Sequence, residues 1–361
     1  MDTEILEMDS KGRMQEAPGR PGGGLSRLTA LVGLAVALVS SGCGFGRIAA
    51  NRLVAAPNLQ QRAMLASWNT TWTNMLTKVT TNPLVVVSIP VGPPEAKLNA
   101  MELPPRDYHT KFVSTLQRNQ SGQNTFSLRW EPEPRDTFTP RDHAATIIVL
   151  HGYSMMKESM APWGFLLAQA GFRVIALDLR GHGQSTGKQI GFGKFETKDL
   201  SQALDYLKAQ GLCDDKVGVL GLSYGATLAL NWAAQEPRVQ TVVAIAPYNQ
   251  PEEAIARFAD MAGAQLPRSL VRSATDAAAV KLDLNWKELS GESGLRHLDR
   301  PVLLIGGEKD PITPPADLAV LQHAAAGETQ TVVVPGANHY IVGMCFKELT
   351  EPITSWFRQR L

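Results

Sequence analysis

From residue 145 onward the chain carries short apolar runs rich in β-branched residues: ATIIVL (145–150), FRVIAL (172–177), KVGVLGL (216–222), TVVAIA (241–246), PVLLIG (301–306) and TVVVPG (331–336). Polar residues do not alternate through them, so each is expected to be a strand buried on both faces. Between the runs the apolar spacing becomes helical, and Gly171, Gly211 and Pro237 stand where those helices should stop. Strand and helix in regular alternation imply a mostly parallel, doubly wound sheet.

Upstream the pattern changes. Met64, Leu65, Trp68, Trp72, Met75, Leu76 and Val79 recur at helical spacing, which predicts an amphipathic helix from Asn58 to about Thr81, stopped by Asn82-Pro83. Pro83, Pro90, Pro93, Pro94, Pro104 and Pro105 then read as an irregular connector. Residues 110–118 and 125–131 read as a hairpin, with Phe126, Leu128 and Trp130 alternating in the second strand and Ser121-Gly122 in the turn.

Nearer the start, Leu28 to Val39 is an uninterrupted apolar run of 12 residues, preceded by Arg20 and Arg27 and followed by Ser40-Ser41-Gly42-Cys43. That is too short to span a bilayer, which takes about 20 residues, and it suits the core of a secretory signal. Cys43 after small residues resembles the lipobox of bacterial lipoproteins, in which the thiol receives a lipid and becomes the mature N-terminus. Ser40 departs from the Leu usual in that pattern, and acids outnumber bases in residues 1–27; initiation at Met14 would restore a positive leader. An uncleaved membrane anchor or a buried helix are the other readings. The expected location is the cell envelope, with the membrane as a partner through a lipid or the N-terminal segment.

Composition adds mostly exclusions. The 361 residues are 44% hydrophobic and 19% charged, which supplies a large core and argues against disorder. A net charge of +1 without a dense Lys/Arg tract removes the long-range attraction that nucleic-acid binding needs. The three cysteines, Cys43, Cys213 and Cys345, have no metal-ligand spacing, and the latter two read as free buried thiols rather than a disulfide. No metal or organic cofactor is expected.

The chemistry concentrates at strand ends. Gly221-Leu222-Ser223-Tyr224-Gly225 follows one buried run and opens a helical segment, the context of a nucleophile elbow. A serine hydroxyl is a weak nucleophile near neutral pH and needs a base, which in turn needs a carboxylate to orient it. Asp310 in GGEKDP and His339 in PGANHY both follow later strands, where open α/β sheets gather their ligands. Glu308 is a rival acid two residues from Asp310. Backbone N–H groups of Tyr224, after the nucleophile, and Tyr153, in His151-Gly152-Tyr153, are the candidate oxyanion donors.

Taken in order, His151-Gly152, the loop Asp178-Leu179-Arg180-Gly181-His182-Gly183-Gln184-Ser185, the elbow, the Asp310 turn and the His339 turn resemble the α/β-hydrolase superfamily over roughly residues 110 to 361. The LDLRGHGQS loop is similar to that of the branch holding monoglyceride-lipase-like and serine-aminopeptidase-like enzymes, where the histidine equivalent to His182 is structural. The resemblance implies the α/β-hydrolase fold, with an eight-stranded, mostly parallel, doubly wound sheet. It also implies a cap inserted between about 248 and 300; with Ile255, Phe258, Met261 and Leu270 among many alanines, a small helical cap is expected. The expected organisation is a signal and lipobox region (1–43), a helix and Pro-rich connector (44–105) and the hydrolase domain (106–361). Serine at the elbow disfavours the Asp- and Cys-dependent relatives, and HGY lacks the HGGG of the hormone-sensitive-lipase branch. The implied function is hydrolysis of a carboxylic ester on a small acyl substrate by Ser223, Asp310 and His339. Peptidase, thioesterase or acyltransferase chemistry on the same residues stays open, as does a non-catalytic binding lipoprotein.

Overall fold

The computed structural model describes residues 5–8, 14–15, 42–60, 84–118, 124–133, 139–140, 145–264 and 266–361. Its central sheet is built from eight strands: β1 (Val85–Val91), β2 (Ala96–Leu103), β3 (Thr146–Leu150), β4 (Arg173–Asp178), β5 (Val217–Leu222), β6 (Val239–Ile245), β7 (Val302–Gly307) and β8 (Thr329–Val334). They lie in the order β8-β7-β6-β5-β3-β4-β2-β1. The six strands from β3 to β8 are parallel, whereas β2 pairs antiparallel with β4 and β1 with β2. All six are the runs expected from sequence.

Burial on both faces explains why those runs do not alternate. In β3, Ile148 and Leu150 enter one core with Leu204, Trp232 and Leu321, while Ile147 and Val149 enter the other with Trp163, Phe172 and Phe357. Successive side chains point to opposite faces of a strand, so both sets must be apolar. Helices α2 (Ala161–Gln169) and α9 (Phe346–Arg360) cover the second face. The first is covered by α3 (Glu196–Ala209), α4 (Tyr224–Gln235), α7 (Gly291–Arg296) and α8 (Pro315–Ala324).

One expectation upstream needs correction. The stretch read as an irregular connector forms β1 and β2, so the sheet starts at Val85 rather than after residue 106. Its prolines misled because Pro90 sits in an edge strand, where a missing N–H costs no ladder bond to a further neighbour. The hairpin is present as Thr110–Arg118 and Asn124–Pro132, but it pairs with Ile5–Met8 in a separate sheet. Its turn lies outside the described residues, as does the apolar run 28–39. The helix expected over 58–81 does too, except for the one-turn helix Pro57–Gln60.

The cap consists of α5 (Pro251–Met261) and α6 (Arg268–Leu282), while α7 packs on the core, where a Cβ at Gly294 would stand 2.5 Å from Asn231 Oδ1. Against α6 lies α1 (Gly42–Val54), so closely that a Cβ at Gly46 would meet Ser273 Oγ at 2.6 Å. The chain after α1 is tied to the 181–190 loop: Ile190 N donates to Val54 O (2.9 Å), Ala56 N to Lys188 O (3.0 Å) and Asn58 N to Gly181 O (3.0 Å). Asn58 Nδ2 donates to Gly183 O (3.2 Å) and Ser185 O (2.7 Å). Among the described residues no helix is long and apolar enough to cross a membrane.

Asn58→Ala removes two hydrogen bonds and leaves two partly buried carbonyls without that donor, so it is expected to lower unfolding free energy by about 1–3 kcal/mol. Urea denaturation checks this; an unchanged midpoint would show that the strap after α1 does not brace the loop.

Candidate active site

The elbow is shaped by the lack of room for side chains. A Cβ at Gly221 would stand 2.3 Å from Gly225 O, and one at Gly225 would meet Leu150 O at 2.5 Å and His151 O at 2.6 Å. Only glycine lets β5 turn into α4 while α4 presses against the end of β3. Between them Ser223 takes φ 52°, ψ −111°, a conformation that costs a non-glycine residue roughly 1–3 kcal/mol and persists only when its surroundings hold it. One restraint is the bond from Ser223 N to Ile245 O on the neighbouring β6 (2.8 Å).

Three of the residues singled out from sequence meet here. Ser223 Oγ lies 2.9 Å from His339 Nε2, and His339 Nδ1 lies 2.7 Å from Asp310 Oδ2. A carboxylate accepts only, so Nδ1 carries the proton and Nε2 is left to accept from the Ser223 hydroxyl. Asp310 is 3% exposed. Its Oδ1 accepts from Ile312 N and Thr313 N (both 2.8 Å), and its Oδ2 also accepts from Thr313 Oγ1 (2.8 Å). Four donors, His339 included, thus fix its orientation. The rival Glu308 is half exposed and accepts from Gly336 N at 2.8 Å; the acid on the imidazole is Asp310.

Both candidate oxyanion residues flank the serine. Tyr224 is the first residue of α4, where an amide has no acceptor within the helix. Tyr153 follows Gly152, whose Cβ would stand 3.7 Å from Ser223 Cβ, so the loop after β3 lies directly against the elbow. His151 holds that loop from inside: its Nδ1–H donates to Gly152 O (2.8 Å) and its Nε2 accepts from Leu179 N (3.0 Å). His182 donates through Nδ1 to Arg180 O (2.8 Å), its ring 5.0 Å from that of His151. It is therefore a packing residue of the 178–185 loop.

Sequence reasoning missed two features. Lys157 is 1% exposed; its Nζ lies 2.6 Å from Glu158 Oε1 and 3.0 Å from Asp178 Oδ2. Asp178 also accepts from Lys157 N (2.7 Å) and Gln184 N (2.8 Å), joining the segment after the Tyr153 loop to the 178–185 loop. Asp178 stood in a conspicuous motif, but nothing in the local pattern around Lys157 marks it as buried. The second is an aromatic wall: Tyr153 lies with ring centroids 6.2 Å from Tyr224 and 6.0 Å from Phe258 of the cap, and Phe192 lies 6.0 Å from Tyr224 and 5.2 Å from Trp286. Burial pushes the Tyr153 phenol up to about 12, so it is neutral at physiological pH. Of the cap residues singled out from sequence, Phe258 reaches this wall. Cys43 lies in the first turn of α1. Cys213 and Cys345 are free thiols, Cys345 buried and Cys213 half-buried.

Burial also pushes both buried imidazoles down, His151 to about 4 and His182, with His151 beside it, to about 3. They are neutral in the folded protein but protonate near pH ~6.5 once unfolded. Below that pH unfolding takes up protons, so stability is expected to fall as pH drops toward about 4 and 3 and to be insensitive to these groups above about 7. Urea midpoints from neutral to mildly acid pH check the slope, and His182→Asn should flatten it. A flat profile for the unaltered protein contradicts the assignment.

Comparison with known proteins matches residues 145–297 to the family described as the alpha/beta hydrolase fold. That segment contains Ser223 and ends before Asp310 and His339. An uncharacterized Bacillus subtilis protein, YqkD, is 26% identical over 203 residues, covering 55% of this chain and 66% of that protein. A monoacylglycerol lipase of Mycolicibacterium smegmatis is 24% identical over 264 residues, covering 63% and 92%. Among solved structures, an esterase of Pyrococcus furiosus aligns with a TM-score of 0.54 at 20% identity, over 77% of this chain and 91% of that one. Sheet order, elbow and these likenesses together make the chain a protein of the α/β-hydrolase fold.

Proposed function

We propose that the protein is a serine hydrolase that cleaves carboxylic esters through an acyl-enzyme. The observation that carries this reading is the continuous hydrogen-bonded chain Ser223–His339–Asp310, with spacings of 2.9 and 2.7 Å, on a serine held out from the sheet by its elbow. In the first step Ser223 Oγ bonds to the ester carbonyl carbon while its proton passes to His339 Nε2. The imidazolium so formed is stabilised by Asp310, and the tetrahedral oxyanion accepts from the amides of Tyr153 and Tyr224. Collapse breaks the bond to the alkoxide, which takes the proton from His339. Water then attacks the acyl-serine, giving a proton to His339, and collapse breaks the bond to Ser223 Oγ, which takes that proton back as the acid leaves. The aromatic wall of Tyr153, Phe192, Tyr224, Phe258 and Trp286 suits an apolar acyl or alcohol group. The lipase and esterase names of the relatives are consistent with that choice.

The reading has a direct test. A fluorophosphonate probe should label Ser223 and fail to label Ser223→Ala, and Asp310→Asn should lower ester turnover by roughly four orders of magnitude. Absence of labelling in folded protein would remove the enzymatic reading. Chromogenic esters of graded chain length beside an amide panel should show esters preferred; faster amide turnover would move the protein to the peptidases.

The proposal extends to location. The apolar run 28–39 and Cys43 are taken as an export signal and lipid-attachment site that hold the protein at the cell envelope. Mass spectrometry of native protein is expected to find Cys43 as a lipidated N-terminus, and a peptide spanning residues 35–50 intact would rule that out.

A further inference from the structure

We infer that the surface shared by α1 and α6 docks on a lipid bilayer containing anionic phospholipids. The inference goes beyond the hydrolase reading and does not depend on it. In a chain whose net charge is +1, these two helices carry five basic residues, Arg47, Arg52, Arg268, Arg272 and Lys281, against the single acid Asp276. Arg47, Asn51, Arg272, Asp276 and Lys281 line one groove of about 700 Å³ between the helices. Guanidinium and ammonium groups arranged so donate to phosphate oxygens, which accept only. Two apolar side chains on these helices are exposed: Val280, in the groove lining, is 85% exposed, and Ile48 of α1 is 51% exposed. Basic residues flanking exposed aliphatic ones is the composition of a helix lying in the headgroup layer.

The occupant is set by the chain itself. α1 begins at Gly42, three residues after the apolar run ends at Val39, and three residues reach no further than about 10 Å. If the run stays in the protein as an anchor, it brings α1 within that distance of the headgroups. If it is removed and Cys43 carries a lipid, the attachment point lies in the first turn of α1 itself. On either of these two readings, on which the inference rests, this surface rather than the opposite end of the sheet is presented to the bilayer. Because α6 packs on α5, and Phe258 of α5 meets Tyr153 beside the serine, docking would hold the part of the cap that overlies the candidate site.

Co-sedimentation of the full chain with vesicles of phosphatidylcholine alone, or with roughly a third phosphatidylglycerol, tests the inference. An apolar anchor alone binds both alike, whereas the groove adds a preference for the anionic vesicles. The triple variant Arg47→Gln, Arg272→Gln, Lys281→Gln is expected to lower partition onto anionic vesicles by about a hundredfold, at roughly fivefold per charge near such a surface. Binding to phosphatidylcholine and labelling of Ser223 should stay as in the unaltered protein, the labelling reporting that the fold is intact. The unaltered protein supplies a second reading that needs no variant: its preference for anionic vesicles should fade as salt is raised from about 0.05 to 0.5 M. Equal binding of the unaltered protein to both vesicles, or an undiminished preference in the triple variant, overturns the inference. Loss of Ser223 labelling in the unaltered protein would instead strike the hydrolase reading and leave this one standing.

Discussion

Ser223 sits at φ 52° because the chain has no other way to turn from β5 into α4 with α4 pressed on the end of β3. The missing Cβ atoms at Gly221 and Gly225 are the constraint on which the rest depends. Closing those gaps with even one methyl group would drive α4 away from Leu150 and His151. The same contact sets the loop after β3 against the serine, so a single close approach aligns the candidate nucleophile and the candidate oxyanion donors. Asp310 and His339 then arrive from the ends of β7 and β8, the second and third strands to one side of β5. Parallel strands end at the same edge, which is why His339, 116 positions beyond the serine, meets both it and Asp310, 29 positions earlier, there.

Around that edge the protein buries polar groups in pairs and chains rather than singly. His151 and His182 stay neutral; both nitrogens of His151 and Nδ1 of His182 bond backbone groups of the two loops that frame the serine. Lys157 and Asp178 cross-link the same loops, at a desolvation cost that only close partners offset. The loops thereby behave as a fixed frame, and a frame of this kind lets amides point at a developing charge without rearranging. The aromatic wall rests on the same frame, since Tyr153 packs on His182 and Tyr224 before it meets Phe258 of the cap.

The N-terminal part of the described chain is tied to the hydrolase body. α1 forms a third layer on the cap and the following strap, through Asn58, closes the 181–190 loop. The strap bonds to Gly181, Gly183, Ser185, Lys188 and Ile190 and so ties down the loop that carries His182. β1 and β2 likewise extend the sheet into the stretch that read as an irregular connector.

Chemistry written in local patterns was legible from the residues alone. Runs buried on both faces announce themselves by unbroken β-branched stretches, so the parallel part of the sheet was readable. The elbow glycines, Asp310 and His339 follow those runs at spacings that local backbone geometry demands. Expectations failed wherever the deciding fact was a neighbour distant in the chain. Pro90 reads as irregular until the strand holding it is known to be an edge. Lys157 looks like any surface lysine until Asp178 and Glu158 close over it. Asp310, the expected acid, has the rival Glu308 two residues away, and the packing of two loops sets Asp310 on the imidazole and Glu308 on Gly336 N. The sequence by itself thus determined which segments form the parallel strands and where the candidate catalytic groups are carried. The tertiary structure alone decided which of those groups touch, because contact depends on strand order and loop register, and neither is a property of any short stretch of chain.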